Sequence, residues 1–87
     1  MFSSNKTKFK RHIIKDCDTR LIGLVKSGVI NIDSILAGTR ILGFLGSYRT
    51  DSINQKYSYS RKFSISEDEV ESIIISSVEE VKNIWIK

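Results

Sequence analysis

His12 and Cys17 are the only histidine and the only cysteine in this chain of 87 residues. A cysteine nucleophile needs a base within hydrogen-bond reach and a third group that orients the base. On a helix, a spacing of five residues turns the two side chains well apart, and no orienting group stands near them. The pair therefore reads as a surface histidine and a half-buried cysteine. One cysteine cannot close an intramolecular disulfide and offers no metal-ligand spacing, so a reducing compartment is the default and neither an oxidised scaffold nor a zinc site is expected. The carboxylates Glu67, Asp68, Glu69, Glu71, Glu79 and Glu80 are the other candidates for chemistry. General acid–base work requires a perturbed pKa in a cleft, whereas these residues spread around one solvated helix. They read as dipole complementation and solubility. No catalytic site, metal or cofactor is expected, and no small-molecule substrate is evident.

Gly43-Phe-Leu-Gly46 matches the bare G-x-x-G pattern by which KH domains grip a nucleic-acid backbone. A phosphate clamp wants small or cationic residues between its glycines, and Phe44 and Leu45 want burial. The stretch reads as a structural glycine pair. No G-x-x-x-x-G-K or G-x-G-x-x-G occurs, so nucleotide loops have no support.

The cations carry the stronger signal. Residues 1–62 hold twelve Lys or Arg against four Asp, a balance of +8, and residues 63–87 hold two Lys against six Asp or Glu, a balance of −4. A basic body with an acidic end suits either a polyanionic partner or attraction between the two regions. The basic residues fall into an N-terminal cluster (Lys6, Lys8, Lys10, Arg11, Lys15) and a second group (Arg40, Arg49, Lys56, Arg61, Lys62). Such spacing is compatible with sequence-independent phosphate contact. The expected function is a small non-enzymatic binding protein that contacts RNA, DNA or a ribonucleoprotein through these residues. The alternative is a protein–protein module, such as a small inhibitor or an assembly subunit. It would act through the acidic C-terminal helix, with Ile75, Glu79 and Ile86 as its contact residues, or through an open sheet edge.

These residues need elements to position them. A chain of this length buries one modest core, so a single domain over 9–87 is expected, preceded by a flexible basic tail over 1–8. Its longest apolar runs, residues 21–25 and 41–46, are far short of the roughly 20 residues that span a bilayer. The basic start lacks a following apolar stretch, so no secretory signal is read and a cytoplasmic or organellar-matrix location is expected. Fourteen Ile against one Ala suggests an AT-rich coding genome, such as that of a mobile element, a low-GC bacterium or an organelle.

From Tyr57 to Ile65 large residues alternate with small or polar ones, the mark of a strand with Tyr57, Tyr59, Arg61, Phe63 and Ile65 on one face. At Ser66 the period changes. Ser66 and Glu69 form a capping box, Ile65 and Val70 a hydrophobic staple, and three acidic residues complement the helix dipole. A helix over 66–85 follows, with Val70, Ile73, Ile74, Val78, Val81, Ile84 and Trp85 on one stripe.

Upstream, residues 39–49 read as a partner strand, although Ile41, Leu42 and Leu45 also fit helical spacing. A helix over about 18–27 ends at Gly28, and it extends back to Phe9 if Phe9, Ile13, Cys17, Leu21 and Leu24 share a face. The expected fold is therefore α+β: an antiparallel hairpin, about 39–49 and 56–65, packed against a long C-terminal helix and a shorter N-terminal one.

Overall fold

The computed structural model describes residues 4–86. Four helices account for it: α1 (Asn5–Lys26), α2 (Ala37–Ile53), α3 (Lys56–Phe63) and α4 (Glu67–Trp85). No strand occurs among the described residues, so the expected hairpin is replaced by α2 and α3, joined through a tight two-residue link, Asn54 and Gln55.

The reason lies in what a spacing of four can mean. Tyr59 and Phe63 are two steps apart in a period-two pattern, yet they also lie one turn apart on a helix. Both rings pack on Phe9 of α1, with centroids 5.1 and 5.0 Å away. Tyr57 and Arg61 repeat the spacing on the exposed side, where the Arg61 guanidinium donates to the Tyr57 hydroxyl and lies over its ring. The K-Y-S-Y-S-R-K-F segment has poor helix propensity, and packing against α1 and α4 overrides it. In α2 the buried residues Ile41, Leu45, Tyr48 and Ser52 follow helical spacing, and a Cβ placed at Gly43 or Gly46 would meet open space.

The N-terminal helix is longer than the expected 18–27. It starts at Asn5, capped by Ser4, whose hydroxyl accepts the Thr7 N–H. Residues 5–8 of the expected tail are thus its first turn, and residues 1–3 lie outside the described residues. Phe9, Ile13, Cys17 and Leu21 are wholly closed to water along one stripe. At the far end Gly28 adopts a left-handed conformation, φ 83°, and its N–H bonds back to the Val25 carbonyl.

Helix α4 forms as its sequence dictates. The Ser66 hydroxyl accepts the Glu69 N–H at 3.1 Å and donates to the Glu69 carboxylate at 2.9 Å. Val70, Ile74, Val78 and Val81 are buried, Ile73 and Trp85 pack at the edge, and Ile84, expected in the stripe, is 63% exposed. The pairs Lys6–Glu69, Lys10–Glu80 and Asp18–Trp85 advance together along both helices, so α1 and α4 run in the same direction. Helix α2 returns between them in sequence, and α4 touches all three other helices. One core results, built from α1, α2 and α4 with Ile30 of the α1–α2 loop.

Candidate nucleic-acid interface

The acidic end of the chain lies against its basic start. Lys6 pairs with Glu69, Lys10 with Glu80 at 3.1 Å, and Lys56 with Glu71 at 3.5 Å. Three of the ten basic residues singled out in the sequence are thereby occupied by carboxylates of α4. Lys6 and the Ser66 hydroxyl both bond the Glu69 carboxylate and hold its pKa below the usual range.

The remaining cations divide by face. On α1, Lys8, Arg11 and Lys15 follow spacings of three and four residues on the side opposite the buried stripe, and all three are exposed. Lys8 and Lys15 form no ion pair among the described residues. Between them the His12 ring lies tilted against Phe63 of α3, 5.6 Å between centroids, and edge-on to Tyr59 at 6.0 Å. The Lys62 ammonium sits 5.7 Å from the centre of the same Phe63 ring. Phe63 thus brings Lys62 up to the α1 stripe, while Arg61 lies with the 60% exposed Tyr57 on the side of α3 turned away from α1. A shallow depression of about 330 Å³ lined by His12, Lys15, Asp16 and Thr19 runs along this face.

Arg40 and Arg49 do not join it. They stand nine residues apart on α2, which places them on opposite sides of the helix. Arg49 borders the α2–α4 groove with Glu79 and Lys82.

Two polar contacts missed in the sequence fix the frame of this face. The Tyr48 hydroxyl donates to Asp16 at 2.8 Å, and the Trp85 indole N–H donates to Asp18 at 2.7 Å. Asp16 also receives Arg20, 3.2 Å away. Burial, and then the bond to Asp16, push the Tyr48 phenol pKa well up, which keeps it a donor. An aspartate on either side of Cys17 was the available sign that this stretch faces two neighbours at once.

Cys17 itself is inert. Burial pushes its thiol up to about 12, reinforced by Asp16 and Asp18, so no thiolate forms near neutrality. No group of three or more metal-ligating side chains occurs among the described residues. Of the protein-contact candidates, Ile75 is exposed, Glu79 is exposed and holds Lys82, and Ile86 packs on the core. The open sheet edge of the alternative reading is withdrawn, because the described residues contain no strand. Among them, no helix is long and apolar enough to cross a membrane. Compared with protein-family models, curated proteins and solved structures, the chain matches none.

Proposed function

We propose that the protein binds nucleic acid through the α1–α3 face, with Lys8, Arg11 and Lys15 on α1 and Arg61 and Lys62 on α3 contacting phosphates. One observation carries the reading: the carboxylates of α4 take up Lys6, Lys10 and Lys56, while Lys8, Lys15, Arg61 and Lys62 have no carboxylate partner among the described residues. A cation held by an internal carboxylate releases no counterion from DNA, and an uncompensated one does. Phosphate contacts of this kind position a backbone without reading bases, so sequence-independent binding is expected.

The test is fluorescence anisotropy with labelled single-stranded and duplex oligonucleotides over a range of salt. Replacing Lys8, Lys15, Arg61 and Lys62 together by alanine should flatten the duplex salt slope by about 3 to 4, at roughly 0.9 per lost contact. The variant lacking Lys6, Lys10 and Lys56 should keep the slope. Absence of binding at low salt refutes the reading, and so does an equal loss in both variants.

A further inference from the structure

The loop between α1 and α2 exposes what a water-facing loop ordinarily hides. Val29, Ile32, Ile35 and Leu36 are all half or more exposed, and Ile35 is 99% exposed. The loop does contribute to the core, through Ile30, so its outward aliphatic residues are not failed core positions. Isolated exposed aliphatics need no explanation, but four within eight residues form a patch.

Part of the loop backbone is satisfied internally. Gly28 N–H bonds to Val25 O, Ile30 N–H to Leu24 O, and Asp33 N–H to the Asn31 side chain. Ser34 N–H bonds to Asn31 O, Leu36 N–H to the Ser34 hydroxyl, and Ala37 N–H to Ser34 O. These bonds account for Gly28, Ile30, Asp33, Ser34 and Leu36 N–H, whereas among the described residues no bond is seen for Val29, Asn31, Ile32 or Ile35 N–H, so the tip suits the hydrated headgroup boundary and not the hydrocarbon interior.

Shape and charge select the occupant. A side chain exposed like Ile35 protrudes, and two protruding tips meeting across a twofold axis bury far less than the roughly 800 Å² per partner of a standard interface. Exposed Lys26 in the last turn of α1 and exposed Arg40 near the start of α2 flank the tip, against Asp33 as the loop's one carboxylate. Aliphatic residues with cations behind them fit the boundary between acyl chains and anionic headgroups.

We propose that the 27–36 loop docks this protein on an anionic lipid bilayer by inserting Ile32, Ile35 and Leu36 into the interfacial region, without spanning it. This surface is separate from the α1–α3 face, and either can exist without the other.

The test exploits Cys17, whose burial spares it from labelling. An environment-sensitive fluorophore on an Ile35→Cys variant should brighten and shift to the blue on vesicles of phosphatidylcholine with phosphatidylglycerol, and be quenched by lipid-borne spin labels. In the unlabelled protein, Ile32→Ser with Ile35→Ser should weaken co-sedimentation with those vesicles by about tenfold per side chain, at unchanged charge. Vesicle binding with no change in the fluorophore refutes insertion and assigns adsorption to the cationic face. A blue shift that grows with protein concentration and needs no vesicles refutes it in favour of self-association. A protein that ignores both anionic and neutral vesicles refutes it outright.

Discussion

Helix α1 has two flanks of opposite character. Toward α4 its residues Phe9, Ile13, Cys17 and Leu21 are closed to water, and Lys6 and Lys10 are neutralised by Glu69 and Glu80. Toward α3 the partly exposed rings of Tyr59, Phe63 and His12 tilt around the buried Phe9 that the two flanks share, α3 has no buried residue, and Lys8 and Lys62 beside the rings are exposed. The first flank spends its charges and apolar surface on the fold itself. The second keeps charges uncompensated beside a short helix that is tied to α4 by Lys56–Glu71 and otherwise held by packing. A cation is available to a partner only where folding has not already matched it, which bulk charge cannot reveal.

The largest test of this contrast is core truncation. Ile74→Ala on α4 should lower the unfolding free energy by 2–5 kcal/mol, because it leaves a cavity where nothing is exposed. Against a total of about 5–15 kcal/mol for a small domain, that brings the chain near its threshold. Phe63→Ala on α3 should cost less, since the Phe63 side chain is only partly buried. Chemical denaturation followed by circular dichroism measures both. Equal losses would mean that α3 is as integral to the core as α4. Hydrogen exchange should show the same order, with α3 amides opening before those of central α4.

The same contrast separates what was legible in the sequence from what was not. Helix α4 could be read because its start is written in local chemistry: a Ser66 cap, Glu69 three residues on, and Ile65 and Val70 around them. The end of α1 was written likewise, in Gly28. Helix α3 carries no such mark at its start, since Gln55 makes no side-chain cap, and it ends on left-handed Ser64, which a sequence does not announce. Its only pattern, aromatic residues four apart, serves a strand and a helix alike, and its tyrosines and serines favoured the strand.

In α2 the helical stripe of Ile41, Leu42 and Leu45 was visible and Gly43 and Gly46 already weakened the strand, but the polar 51–55 segment read as a hairpin loop and favoured the strand pairing. For the candidate site, the charge split held both outcomes, attraction within the chain and a polyanion outside it. Only geometry divides Lys6, Lys10 and Lys56 from Lys8, Lys15, Arg61 and Lys62.

The well-packed flank contains one defect, which gives a smaller and opposite effect. The Ser77 hydroxyl on α4 is fully buried and has no hydrogen-bond partner among the described residues. A buried unsatisfied hydroxyl destabilises by about 1–3 kcal/mol, and alanine is the better helix former. Ser77→Ala should therefore stabilise the protein by roughly 1 kcal/mol, the cavity left by one oxygen offsetting part of the gain. A rise in midpoint denaturant concentration at unchanged slope is the expected reading. A loss of stability would mean that the hydroxyl has a partner in solution, water being the first to consider.

The smallest effect concerns the charges that close the α1–α4 flank at one end. Lys6 and Ser66 both favour the ionised form of Glu69, so its pKa in the folded protein lies below the ordinary value of 4.5 that it regains on unfolding. A group with a depressed folded pKa stabilises the native state at pH values above the unfolded pKa, and that stabilisation is lost as pH falls through the folded one. The melting temperature of the parent should therefore exceed that of Glu69→Gln near neutrality, and the gap should shrink as the solution is acidified below about pH 4.5. The amide of glutamine retains a bond to Ser66 but cannot pair with Lys6, so the gap isolates the ion pair from the cap. High salt should narrow it at neutral pH as well, because the Lys6 end is exposed. If the gap persists at low pH, the effect belongs to packing of the Glu69 stem, and the basic start of α1 is held by its apolar stripe with little help from charge.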